Sequence, residues 1–309
     1  MHGRASSAEW PTGSQLKCWS KKNNRRAAPI ALPFTVRQSH RAKFAGHLLI
    51  TPVERRVCVD TVLAVFAHPD DAELTCFGTL GLLKSRGYRV LIGIVTDGLA
   101  GLAPAHSCNR VLEAQLASAV MGFELLRGAL PDGDLQYSSQ LIVPIEKWIR
   151  DYQPAIVITH DYDPAGIDHQ DHIAVARAVL NVAHRKPGIE LLLQVEPSRG
   201  SRSFEPNVFV EVGAFAANKL AAIACHKSQA HKDYLQPGYI SLRSDWWAAV
   251  SGTSSPPAAD GKIHVEAFRI ARSLIFGSSA LTFTKRPDRV EESSANLLRL
   301  PHPRPRTVA

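Results

Sequence analysis

The chain has 309 residues, 45% of them apolar and 21% charged, which is enough for one large domain or two modest ones. No apolar run approaches the roughly 20 residues that a membrane-spanning helix needs, and Cys18, Cys58, Cys76, Cys108 and Cys225 are scattered outside any CxxC pair, which speaks against a disulfide framework and for a reducing, cytoplasmic compartment. The net charge of +8 is concentrated in residues 1–57, where eleven Lys or Arg face only Glu9 and Glu54, so the remaining 252 residues are close to neutral.

Such an arm reads as a disordered leader, a targeting segment or an upstream start, since it lacks interleaved aromatics and clear periodicity. The neutral remainder argues against nucleic-acid binding, which needs a basic surface. From residue 59 strand and helix signals alternate. Strands are expected at 61–67, 89–96, 124–127, 155–159, 190–194 and 208–212. Helices are expected at 72–86, 109–121, 140–152, 172–184, 214–226 and 265–273. Runs such as Val90–Val95 and Ala155–Ile158 are apolar throughout, which suits parallel strands covered on both faces. The alternation predicts an α/β fold, a doubly wound, mostly parallel sheet with helices on both faces, of the Rossmann-like kind. No GxGxxG follows the first strand and no GxxxxGK[ST] occurs, so nothing points to a dinucleotide. The aromatics of 233–251, Tyr234, Tyr239, Trp246 and Trp247, read as packing rather than as a substrate cleft. The tail from Lys285 is polar and Pro-rich.

Two clusters carry the chemistry. His68-Pro69-Asp70-Asp71 stands where the first strand hands over to a helix. His68 and Asp71, three residues apart across that turn, can converge on one ion, and Asp70 between them can approach its water. The alternative is a helix cap made by Asp70 or Asp71, with Pro69 in the tight turn; Glu73 reads as structural. The second cluster, from His160 to His172, packs three His and four Asp into 13 residues after the 155–159 strand. His172 opens a helix and can act as a rigid ligand. His169 can face the same pocket, and Asp171 can orient a neighbouring imidazole through its second nitrogen. Asp161, Asp163 and Asp168 read as loop acids and His160 as a structural histidine. If both strands are central and parallel, the clusters meet above one sheet edge.

Ala67-His-Pro-Asp-Asp-Ala-Glu73 together with Asp168-His-Gln-Asp-His172 resembles the LmbE-like (PIG-L) family of zinc-dependent N-acetylglucosaminyl deacetylases. Thr96-Asp-Gly98, Arg110-Val-Leu-Glu113 with Ala117 and Met121-Gly122, Leu130-Pro-Asp-Gly-Asp-Leu135 and His226-Lys-Ser-Gln229 look like further family segments, each weak alone. Coverage runs from about residue 60 to about 275, and Gln170 stands where the family usually has Pro. The resemblance implies an LmbE-like deacetylase domain over 58–277, flanked by the 1–57 leader and a polar 278–309 tail. It implies Zn²⁺, with Fe²⁺ or another divalent ion as alternatives, on His68, Asp71 and His172. It further implies Asp70 as general base, His169 assisting the oxyanion or the leaving amine, and Arg110 and Asp132 holding the sugar. The expected activity is removal of an acetyl group from a small N-acetylglucosamine-type conjugate. The rivals are an amidase acting on a thiol-sugar conjugate and a metallophosphoesterase, and a homo-oligomer stays open.

Overall fold

β1 (Thr61–Phe66) is buried along its whole length, and its side chains alternate between two cores. Val62, Ala64 and Phe66 enter one; Leu63, Val65 and the following Ala67 enter the other. Burial on both faces is what makes the strand a continuous apolar run. The structure, a computed structural model, describes residues 60–101, 110–162, 168–201 and 203–274. The basic segment 1–57 and the tail 278–309 lie outside those residues.

β2 (Arg89–Thr96), β3 (Glu124–Leu130), β4 (Ile156–His160) and β5 (Leu191–Val195) extend β1 in parallel. β6 (Val208–Glu211) and β7 (Val265–Ser273) complete a seven-stranded sheet of order β3-β2-β1-β4-β5-β7-β6, with β7 antiparallel to both neighbours. On one face, α1 (Asp71–Thr75), α2 (Phe77–Ser85), α3 (Arg110–Ala119) and α6 (Ala216–Ile223) enclose a core around Phe66, Phe77 and Leu80. On the other, α4 (Ser139–Tyr152) and α5 (Gln170–His184) press Leu141, Ile145, Val175 and Val179 onto Leu63 and Val65. Gly93 lets α4 approach, because a Cβ there would stand 2.8 Å from the Trp148 ring. α7 (Pro237–Ser251) packs Trp247 against Val265 and Ala267 of β7.

Two expected helices come out differently. The single helix expected over 72–86 is two, broken at Cys76. The amides of Gly78 and Thr79 donate to the Glu266 carboxylate at 3.0 and 2.7 Å. An anion at the start of α2 takes the N–H groups that a continuous helix would pair internally. The second difference is β7 itself, expected as a helix over 265–273. Its apolar residues fit either period over so short a span. In the fold they alternate as a strand: Val265 and Ala267 face α7, while Glu266 and Phe268 face α2.

Among the described residues no helix is long and apolar enough to cross a membrane. Cys76 and Cys225 are free thiols; Cys18, Cys58 and Cys108 lie outside the described residues.

Candidate metal centre

The chain winds from β1 outward through β2 to β3, then returns to place β4 on the other side of β1. That reversal opens a crevice at the carboxyl ends of β1 and β4, where open α/β sheets bind ligands. Val65 is in register with Thr159, so the segments leaving both strands emerge side by side. His68 and Asp71 come from the first, and His172, in the first turn of α5, follows the second.

Their donor atoms converge. His68 Nδ1 is 3.1 Å from His172 Nε2, His172 Nε2 is 3.3 Å from Asp71 Oδ1, and His68 Nδ1 is 3.5 Å from Asp71 Oδ2. Tetrahedral coordination with bonds of about 2.0–2.1 Å puts ligand atoms about 3.3–3.4 Å apart, so the three stand at coordination spacing. All three residues are buried. Carboxylates behind the rings fix which nitrogen points inward. His172 Nδ1 donates to Asp168 Oδ1 at 3.0 Å, leaving Nε2 to face the cluster. His68 Nε2 lies 2.9 Å from Asp132 Oδ1 and 3.1 Å from Asp171 Oδ2, leaving Nδ1 inward. Asp171 is itself held by the Gly133 and Leu135 amides at 2.7 and 2.9 Å. Outer carboxylates of this kind orient imidazole ligands and raise their basicity.

Two other groupings of possible ligands, His68 with His169 and Asp171, and His160 with Asp168 and His172, share a histidine with this one. Their remaining members are engaged elsewhere. His160 Nε2 accepts the Ala67 amide at 3.0 Å, and its ring stacks on His172 with centroids 4.0 Å apart. His169 Nδ1 accepts the Asp171 amide at 3.2 Å. The set His68, Asp71 and His172, two imidazoles and a carboxylate, fits a single divalent ion of the zinc or ferrous type.

Asp70 occupies the N-cap position of α1 but makes no capping hydrogen bond. Its backbone is left-handed, with φ of 111°, a conformation costly for a residue with a side chain and concentrated at functional sites. The strain turns the carboxylate away from the helix amides, against the cap alternative, to meet Arg110 Nη2 at 3.2 Å. Arg110, 2% exposed, also donates to Gly98 O at 2.7 Å and Pro69 O at 2.5 Å. Its described partners are thus backbone carbonyls, Asp70 and, with Nη1 3.9 Å from Oδ2, Asp132. Asp132, expected like Arg110 on the sugar, lies against His68 and the Gly101 amide. Asp168, read as a loop acid, is the partner of His172; its place four residues before that histidine was the available signal. Asp161 pairs with Arg269 of β7, and Asp163 lies outside the described residues. Glu73 is buried, 3.5 Å from His226 Nε2. Tyr234, read as packing, lies close enough to Asp70 and Asp71 to feel both charges.

The electrostatics follow from burial and these partners. Burial disfavours charge on His68, but Asp132, Asp171 and Asp71 outweigh it and push the imidazole up to about 12. His172 is pushed up to about 9 against its own burial, chiefly by Asp71 and Asp168. Burial and then His172 push His160 down to about 4. Burial, with His68 and His172 nearby, also pushes His169 down. The Asp70 carboxyl is raised by burial, with Arg110 opposing. A cluster that gathers positive charge when metal-free is the electrostatic image of a cation site.

A cavity of about 230 Å³ lined by Lys219, Ile240, Trp247 and Glu266 lies elsewhere, under α7. It contains none of the expected site residues, and its polar lining is paired internally, Lys219 with Glu266 at 2.6 Å and Arg243 with Glu196 at 2.7 Å.

A doubly wound α/β protein with a two-histidine, one-carboxylate cluster at its switch point is the class that fold and geometry define. The chain belongs to the PIG-L family: the family model described as GlcNAc-PI de-N-acetylase matches residues 63–183. It is 30% identical over 184 residues, 54% of this chain and 83% of the relative, to the probable N-acetyl-alpha-D-glucosaminyl L-malate deacetylase 2 of Bacillus cereus. Among solved structures it superposes on the N,N'-diacetylchitobiose deacetylase of Pyrococcus horikoshii with a TM-score of 0.57 at 20% identity, covering 68% of this chain and 83% of that one. It superposes equally well, with a TM-score of 0.57 at 18% identity and coverage of 72% and 100%, on GalB, the 4-carboxy-2-hydroxymuconate hydratase of Pseudomonas putida KT2440. The fold therefore does not decide the reaction, and the site must.

Proposed function

We propose that this chain is a metal-dependent hydrolase that removes the acetyl group from an N-acetylglucosamine-type sugar conjugate. The observation that supports this most directly is the convergence of His68 Nδ1, Asp71 and His172 Nε2 with the Asp70 carboxylate beside them, in a family whose named relatives are sugar deacetylases. His68, Asp71 and His172 would hold the ion, Zn²⁺ or another divalent metal. When bound, such an ion supplies Lewis-acid polarisation of a carbonyl and lowers the pKa of water to about 7.

The chain's own groups do the proton work. Asp70, raised by burial and steered by Arg110, takes the proton of the attacking water on its carboxylate. It then returns that proton to the departing nitrogen, because an amide anion does not leave at neutral pH. His169 accepts the Asp171 amide through Nδ1, so the ring proton sits on Nε2 and is available to the developing oxyanion. Burial and the neighbouring His68 and His172 lower its pKa, so it acts as a neutral donor. Arg110 fixes Asp70 in its strained backbone, and Asp132 fixes His68. The products are acetate and a free amine.

The test is acetate release from a panel of N-acetylglucosamine derivatives, with and without a chelator, alongside metal analysis. Asp70→Asn retains the ion and loses about 10²- to 10⁴-fold in kcat, whereas His172→Ala fails to retain the ion. Near-full turnover by Asp70→Asn removes the base assignment. Metal near two equivalents per chain favours the phosphoesterase alternative.

A further inference from the structure

The turn that follows β2 runs beside the expected ligands, yet little apolar burial holds it there. None of the residues Leu99–Gly101 is buried, and Leu99 is 55% exposed. A segment so placed depends on its hydrogen bonds. Gly101 is gripped through both of its polar groups. Its N–H donates to Asp132 Oδ2 at 3.2 Å, and the other oxygen of Asp132 stands 2.9 Å from His68 Nε2. Its carbonyl accepts from Gln229 Nε2 at 3.3 Å.

Gln229 comes from the segment after α6 and is fully buried. The second donor of its Nε2 goes to Ser228 Oγ at 3.0 Å. Ser228 Oγ gives its own proton to Glu113 Oε2 at 2.6 Å, and the Ser228 amide donates to Glu113 Oε1 at 2.8 Å. A carboxylate that accepts twice from one residue fixes it at two points, and its charge strengthens both bonds. Polarised by Glu113, the hydroxyl is a better acceptor for the Gln229 amide. A string of hydrogen bonds thus leads from Glu113 through Ser228, Gln229, Gly101 and Asp132 to His68.

Glu113 stands on α3, one turn beyond Arg110. The same turn of backbone rests on Arg110. Nη1 donates to Gly98 O at 2.7 Å, and a Cβ added to Gly98 or to Gly101 would stand 3.0 or 2.9 Å from that nitrogen. The two glycines let the backbone lie directly on the guanidinium. One helix therefore reaches both sides of the site: Arg110 meets Asp70, and Glu113 reaches His68 through the string.

We propose that Glu113, Ser228 and Gln229 are positioning residues for the metal centre: from α3 they hold the Gly98–Gly101 turn so that Asp132 keeps the His68 ring with Nδ1 inward. The role rests on the reading of His68 as a ligand and is independent of which substrate is bound. Asp171 also stands 3.1 Å from His68 Nε2, so loss of the string slackens the ring without freeing it. The expected effect is about 3- to 10-fold in metal affinity, below the roughly 10- to 100-fold of removing an outer carboxylate itself.

The experiment uses the full chain. Zinc affinity is read by competition with a chromophoric chelator, and exchange of the Gly101 amide by deuterium uptake in the metal-free protein. Gln229→Met, which keeps the volume and removes both donors, speeds exchange at Gly101 and weakens zinc by that factor. Ser228→Ala does the same, and Ser228→Thr, which restores the hydroxyl, recovers both. In an Asp132→Ala background Gln229→Met takes nothing further from zinc affinity, because the string acts through that carboxylate. Ser244→Ala, which costs α7 its bond from the Val265 amide, lowers the Tm and leaves zinc affinity in place. Faster exchange at Gly101 with unchanged zinc affinity overturns the inference, since the string would then only brace the turn. So does a Gln229→Met loss that adds in full to that of Asp132→Ala. An unmodified chain that binds no zinc overturns the inference together with the metal reading, whereas one that binds zinc and releases no acetate loses the deacetylase reading alone.

Discussion

The acids around the two inward-facing imidazoles divide by what each touches. Asp71 faces both rings, Asp168 holds His172 from behind, Asp171 and Asp132 hold His68, and Asp70 faces Arg110. Asp168→Ala leaves every expected ligand in place and frees the His172 ring to rotate. The expected loss is about 10- to 100-fold in metal affinity, read by competition with a chromophoric chelator; unchanged affinity would mean that the ring is held by packing on His160 alone. The protonation states give a second prediction. In chelator, His68 and His172 are raised to about 12 and about 9 from an ordinary 6.5. Protonation of these rings therefore favours the folded chain fully below pH 6.5; the His172 share drains away as pH climbs through 9, and the His68 share as it climbs through 12. Asp171, lowered to about 2 from 3.8, contributes above 3.8 and is lost as pH falls through 2. The Tm of the metal-free chain should fall between pH 7 and pH 10, while metal affinity rises over the same interval because each ring must lose a proton to bind. Of this cluster, the sequence marked His68, Asp71 and His172 as candidate ligands, through residue types that suit a metal and through the family resemblance. It hid the left-handed backbone of Asp70 and the hold of Arg110, since both depend on where the 98–101 turn passes.

Glu266 shows how an element's limits can be set from far away. One carboxylate accepts from the Gly78 and Thr79 amides, the Thr79 hydroxyl and Lys219, and so ties β7 to α2 and α6. Glu266→Ala strands a buried ammonium group and three donors at once. The expected cost is about 3–5 kcal/mol in urea denaturation. Glu266→Gln combined with Lys219→Met, which removes both charges, costs distinctly less. A double variant as unstable as Glu266→Ala would show that the shape of the clamp matters more than its charge. The same residue explains why the break at Cys76 and the strand at β7 were illegible locally: the partners are 188 residues apart. The first six strands and the helices α3 to α6 were legible, because their apolar periods extend over whole elements.

The doubly wound order, and with it the meeting of two clusters a hundred residues apart, followed from strands buried on both faces. At the scale of the whole molecule the candidate ligands are shared between halves: His68 and Asp71 leave β1, and His172 opens α5 on the far side of β4. An ion that binds the folded chain alone stabilises it by about 2.7 kcal/mol when present at 100 times its Kd. Thermal melts with and without chelator should then differ by roughly 5–10 °C, and the difference should vanish in His172→Ala. The stack of His160 on His172, with its bond to the Ala67 amide, has a mechanical consequence. The floor of the crevice is one rigid rivet through two neighbouring strands, so tension at one rim is felt at the other. Deuterium uptake at the Ala67 amide and in the first turn of α5 should therefore slow in step as the cation is titrated.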